Sequence, residues 1–230
     1  MSFVTDYNNH IIFNPEGKIK QMEFISNTTT LGNTVVALSS GKSGVYITYN
    51  EKISKLADHQ KKIFKINNET LFSFAGVTND GLNLVDYLID RSVHEKVIKE
   101  RKIHPIHVFD DFLEEVVSRT VSNRSRLFAI DGLLMTIHDS VKLVLFEHAG
   151  TVREVRGMSI GRRCQSCRTV LETECLNFNE MNHEELIAVG IKALKNAYPE
   201  TGLLKGDNVD IWILDQNEGI HHINSATYID

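Results

Sequence analysis

The sequence predicts an α+β protein folded as a four-layer αββα sandwich, two packed sheets with helical layers outside. Three observations predict it. β-rich runs fall in separate blocks, amphipathic helices come in pairs between and after them, and a short glycine turn joins the first two runs as a hairpin. No linker, low-complexity segment or internal repeat divides the chain, and its 3 prolines mark no domain boundary, so one domain over residues 1–230 is expected.

In chain order, Pro15-Glu16-Gly17 reads as a turn after a short irregular arm. From Lys18 to about Thr30, Ile19, Met22, Phe24 and Ile25 are spaced as on a helix, and Thr28-Thr29-Thr30 should end it because β-branched residues are poor helix formers. Thr34–Ser40 and Gly44–Tyr49 are the two arms of the hairpin, turning at Gly41-Lys42-Ser43. Strands are expected again at Lys62–Ile66 and Leu71–Ala75. Two helices follow. One runs from about Asn79 to the Ile98 region with a stripe of Leu82, Val85, Leu88, Ile89 and Val93. The other runs from about Pro105 to Val121, with Phe109, Phe112, Leu113, Val116 and Val117 inward.

Strands resume at Arg126–His138, Lys142–Glu147 and Thr151–Glu154, followed by helices at about Gly161–Glu174 and Asn182–Asn196. Asn182 with Glu185 three residues on is a capping-box pattern. Asp210–Leu214 and Gly219–Ile223 close the chain as strands.

Composition excludes several classes. Hydrophobic residues at 42% and charged residues at 24% suit an ordinary folded core without disulfide or metal support. A net charge of -5 and no basic run argue against a nucleic-acid partner, whose phosphates would demand a Lys/Arg stripe. The N-terminus has no basic start with an apolar run, and no apolar stretch approaches a bilayer span, so an intracellular soluble protein with no membrane partner is expected. Cys164, Cys167 and Cys175 are no secreted disulfide framework.

Three collinear stretches carry a resemblance. Tyr7-Asn8-Asn9-His10, with Phe13-Asn14-Pro15-Glu16-Gly17 and the residues to Phe24, is similar to the signature at the start of eukaryotic proteasome alpha subunits. Ala57 to Ile63 with Ala75 to Asp80, and Met158 to Glu172, resemble segments of the alpha type-1 branch. The resemblance implies the N-terminal-nucleophile-hydrolase-like sandwich, divided as arm 1–14, helix 15–30 and sandwich 34–230. It implies a ring subunit without cofactor that works in ubiquitin-dependent protein degradation, in cytoplasm and nucleus. Its partners would be neighbouring alpha subunits, beta-ring subunits, and the regulatory particle or other activators docking by their C-terminal tails. The sequence closes at Asp230 without the long charged tail that type-1 subunits often carry.

The rival within that family is a catalytic beta-type subunit, whose N-terminal threonine attacks with its own α-amine as base. Thr28-Thr29-Thr30-Leu31 resembles such a start. Registering Thr34–Leu38 on a beta-type first strand places Gly32 before the cleavage point and Asn33 at the nucleophile, and an amide cannot attack a carbonyl. Registering Thr28 instead puts Asn27 where glycine is needed and removes a helix the alpha branch keeps. The second strand, Gly44 to Asn50, holds no Asp. The threonine run therefore reads as a helix end.

The same resemblance points to two sites. Tyr7, Asn8, Pro15, Gly17 and Phe24 fall on the gate motif over the axial channel. There Asn8 replaces an Asp and Phe24 replaces a Tyr, removing a charge and a hydroxyl from a hydrogen-bonded cluster. The arm before Tyr7 is short, which argues against this chain as the main plug. Lys62 resembles the lysine that pairs with the carboxylate of activator tails in a pocket between subunits, and Gly32 would permit close backbone approach there. Without the resemblance, Lys62 reads as a solvated lysine on a strand edge.

Cys164-Gln165-Ser166-Cys167 has dithiol or half-zinc spacing, but no second pair exists and structural thiols are expected. His221 and His222 would point to opposite faces of a strand, and His104 and His107 flank Pro105, so neither pair makes a good chelate. Asp110-Asp111 and Glu114-Glu115 read as a solvated helix face, and Glu184-Glu185 as a first turn favoured by the helix dipole.

Overall fold

Val35–Ser39 (β1) and Ser43–Tyr49 (β2) form the predicted hairpin, with Gly41 at φ 85°, a left-handed angle that glycine adopts without strain. The computed structural model describes residues 13–51, 54, 56–98, 100, 102–122, 125–200 and 203–229. Further strands are β3 (Ile63–Asn67), β4 (Thr70–Gly76), β5 (Ile130–Ile137), β6 (Val141–Glu147), β7 (Thr151–Val155), β8 (Gly157–Ile160), β9 (Val209–Asp215) and β10 (Gly219–Ile223). One sheet has the order β10-β9-β2-β1-β8 and the other β3-β4-β5-β6-β7, with antiparallel pairing throughout.

Helices α2 (Thr78–Val93) and α3 (Asp110–Thr120) cover the second sheet, and α4 (Cys164–Glu174) and α5 (His183–Ala197) cover the first. A short α1 (Lys20–Thr29) lies at one end, and α6 (Ala226–Ile229) closes the chain. The expected αββα sandwich is what the chain forms. Between the sheets, Val35, Ala37, Tyr46, Leu71, Leu133 and Met135 share one buried cluster. Strands covered on both faces cannot alternate apolar and polar residues, which is why β1 and β2 are buried at every position. Tyr46 is fully buried and donates its hydroxyl to the Leu133 carbonyl at 2.7 Å, a polar tie across the sheet interface.

Several elements depart from expectation for local reasons. On α2 the inward arc is Gly81, Leu84, Val85 and Leu88, while Leu82, Ile89 and Val93 are exposed. A stripe drawn from large apolar residues misplaces the face because it ignores Gly81, whose bare Cα lets the Phe74 ring pack against it. The α-helix stops at Val93 and continues as a π-helical turn, His94–Ile98. Pro105–Phe109 is a 3-10 turn leading into α3, and Val117 is exposed. The helix expected from Gly161 starts at Cys164, because β8 occupies Gly157–Ile160. Gly161 (φ 87°) and Arg163 (φ 54°) turn the chain out of that strand. The capping box at Asn182 and Glu185 forms in both directions, at 2.9 and 2.8 Å. Among the described residues, no helix is long and apolar enough to cross a membrane.

Candidate functional site

Gly32 and Lys62 are brought to the same end of the sandwich, the C-terminal end of β4. A Cβ on Gly32 would stand 2.7 Å from the Gly76 nitrogen and 3.1 Å from Ala75, so only glycine allows this approach. The Gly32 carbonyl accepts from the Arg162 amide at 2.8 Å. Lys62 precedes β3, and its carbonyl accepts from the buried Ser73 hydroxyl at 2.7 Å. Its Nζ stands 5.8 Å from the Phe74 ring centre. Lys62 is only 4% exposed, and burial lowers its pKa below the ordinary lysine value. Among the described residues no carboxylate is within ion-pair distance of it. The ammonium is thus held against an aromatic face in a largely desolvated position.

A helix start lies close by. α2 starts beside this end, and its N-cap residue, Val77, supplies no side-chain cap. The positive end of its dipole is thus uncapped from within the helix. Asp80 in the first turn does not fill that role, because its carboxylate is engaged elsewhere. It accepts from both Arg126 guanidinium nitrogens at 2.5 and 2.6 Å and from the Ala129 amide at 3.0 Å. Burial pushes the Asp80 pKa up, but those bonds outweigh it and hold the carboxyl below its usual range. Gln60, two residues before Lys62, donates its side-chain amide to the Thr78 hydroxyl at 3.1 Å.

Of the expected gate residues, Tyr7 and Asn8 lie outside the described residues. Pro15 and Gly17 sit in the expected turn, where Gly17 has φ 76° and donates to the Asn14 carbonyl at 2.9 Å. Phe24 is 56% exposed on the outer side of α1. The inner side holds Ile25, buried against Leu127 and Ala129, with Met22 and Val77 beside them. Leu127 and Ala129 belong to the extended segment before β5 that sequence pattern merges with the strand. The threonine run ends α1 as expected: the hydroxyls of Thr28, Thr29 and Thr30 donate to the carbonyls of Phe24, Ser26 and Asn27 at 2.9, 3.0 and 2.7 Å.

Asn33, where a beta-type nucleophile would fall, connects Gly32 to the start of β1. Its amide is 3.5 Å from the Asn50 side-chain oxygen, and Asn50 in turn donates to Asp210 at 3.0 Å. Asp210 stands on β9, paired across the sheet from Thr48. Beside Asn33, the buried Thr34 hydroxyl donates to the Arg162 carbonyl at 2.5 Å and stands 2.6 Å from the Tyr198 hydroxyl. These groups are hydrogen-bonded to one another.

The remaining candidates scatter. Cys167 is fully buried, and burial pushes its thiol up to about 11, while Cys164 and Cys175 are half-buried. His221 and His222 stand on β10, with His222 4.9 Å from the Trp212 ring, and the His104 and His107 rings are 5.9 Å apart. Among the described residues no group of three His, Cys, Asp or Glu side chains converges as a metal site.

Comparison with known proteins agrees with this architecture. Residues 29–214 match the family model described as Proteasome subunit. The chain is 27% identical over 217 residues to proteasome subunit alpha type-1 of Dictyostelium discoideum, covering 93% of this chain and 87% of that protein. It is 27% identical over 211 residues to proteasome subunit alpha type-6 of Saccharomyces cerevisiae, covering 90% and 89%. It is 26% identical over 207 residues to the probable proteasome subunit alpha type-6 of Schizosaccharomyces pombe, covering 90% and 76%. With the sandwich, its helical layers and most of the chain matched, this protein belongs to the proteasome subunit family.

Proposed function

We propose that this chain is a non-catalytic structural subunit of the outer alpha ring of the 20S proteasome core particle. Its work there is ring assembly, gating of the axial channel and docking of activators during ubiquitin-dependent degradation, in cytoplasm and nucleus. One observation carries the choice of a scaffold over a hydrolase. The run Lys20–Thr29 is a helix packed through Ile25 on Leu127 and Ala129, and freeing an α-amine at Thr28 or Asn33 would require this packed segment to be cut away. The alpha names of its relatives support the same choice.

Two surfaces support the ring reading. Lys62 and Gly32 offer a carboxylate seat at one end of the sandwich, fitting the C-terminal tail of an activator. Leu82, Ile89 and Val93 leave an apolar stripe on the outer side of α2, which a neighbouring subunit would cover. Native mass spectrometry of the endogenous protein tests the proposal. The expected result is a particle of about twenty-eight chains, two alpha and two beta heptamers. Recovery as a monomer alone overturns it.

A further inference from the structure

We propose that Gln60 is a positioning residue for the Lys62 site, its side chain acting as a latch that holds the lysine's segment against the first turn of α2. The inference rests on the reading of Lys62 as a carboxylate seat. Residues 57–62 form no ladder with either sheet; Ile63 enters β3 opposite Ser73, and the segment before it is tied down by point contacts. One is the Ser73 hydroxyl on the Lys62 carbonyl at 2.7 Å. The other is the Gln60 amide on the Thr78 hydroxyl at 3.1 Å. Together they pin the segment on both sides, to β4 and to α2. Phe74, over which the ammonium sits, is itself packed on Gly81 in that same first turn. Segment, aromatic face and helix start are thereby held as one unit.

The chemistry gives the latch its value. Lysine is a point charge on a flexible stem, so its usefulness to a single carboxylate depends on how well the stem is held before the ligand arrives. Gln60 and Thr78 are both exposed, so their bond adds little to the core and can act on the site without acting on the fold.

The test is a double-mutant cycle on the assembled particle. The probe is a dye-labelled peptide copied from an activator's C-terminus, made with a free carboxylate and as its amide. Gln60→Ala and Thr78→Val should each weaken the carboxylate peptide about two- to tenfold, the range of one modest hydrogen bond. The double variant should lose no more than either single one, because both remove the same contact. Thr78→Ser, which keeps the acceptor, should restore binding, and the amide should bind every variant alike. Additive losses, or no loss where Lys62→Met still weakens binding, overturn the latch alone. If Lys62→Met itself leaves carboxylate binding unchanged, the carboxylate seat fails, and the latch with it.

Discussion

The Lys62 ammonium stands 5.8 Å from the centre of the Phe74 ring in a position only 4% exposed. Burial lowers its pKa, so the charge is held against its own desolvation. A carboxylate ligand binds the protonated form. Binding should therefore be strongest below the pKa of the free site and fall as pH rises through it, at lower pH than an ordinary lysine would give. Lys62→Arg, which stays charged at all accessible pH, should abolish that alkaline fall. Peptide affinity measured across alkaline pH checks this, and a flat profile for the native chain would sink it.

For stability the sign is opposite. A lysine whose folded pKa is depressed costs stability while it is charged, and the cost disappears as pH rises through the unfolded value. Lys62→Met should therefore leave Tm equal or higher at neutral pH while peptide binding drops at least tenfold, roughly the worth of one charge-assisted contact. A Tm loss together with intact binding would mark Lys62 as structural.

Asp80 joins α2 to the segment leading into β5, through Arg126 and the Ala129 amide. Asp80→Ala should cost about 1–3 kcal/mol, chiefly because the buried Ala129 amide is left without a partner. Arg126→Ala should cost less, since Arg126 is more than half exposed and its charge is screened by solvent. The folded carboxyl pKa is depressed, so its contribution is present above the unfolded value near pH 4 and is lost as pH falls through the folded value. Acid unfolding curves should show that loss flattened in Asp80→Asn.

The layers were legible in the sequence because burial on both faces writes itself as unbroken apolar runs, as in Val35–Ser39, and because Asn182 and Glu185 spell a cap locally. The face of α2 was not, since its inward arc includes Gly81, which carries no apolar signal until Phe74 is known to lie against it. β8 was hidden because Gly157–Ile160 is too short to show a period, and its pairing with β1 is remote in sequence. Lys62 and Gly32 were found through the resemblance. Their meeting at the end of β4, the buried setting of the ammonium, the Gln60 contact and the reach of Asp210 to Asn50 are long-range facts that spacing cannot express.

Thr34 and Tyr198 tie the start of β1 to the end of α5 through hydroxyls 2.6 Å apart, with the Arg162 carbonyl as a third partner. Tyr198→Phe leaves Thr34 bonded to Arg162 and should cost about 1 kcal/mol. Thr34→Val strands both the carbonyl and the buried tyrosine hydroxyl and should cost more, about 2–3 kcal/mol. Equal losses from the two, measured by denaturant unfolding of the assembled or isolated chain, would contradict this ordering.

The scaffold reading is most exposed at residues 28 and 33. Thr28 donates its hydroxyl to the Phe24 carbonyl within α1, so service as an N-terminal nucleophile would require cleavage inside that helix. Thr28→Ala should change stability by about 0.5 kcal/mol or less and leave the particle's peptidase activity untouched. The converse substitution is sharper. Asn33→Thr installs a hydroxyl at the beta-type position beside Asn50, yet Gly32 remains bonded to its nitrogen and no base appears. With the particle's beta-subunit sites blocked by a covalent inhibitor, Asn33→Thr should add no peptide hydrolysis above the native chain. New activity there, or lost activity in Thr28→Ala, would mean that the helix before β1 is removed in the working molecule and that this subunit is a hydrolase.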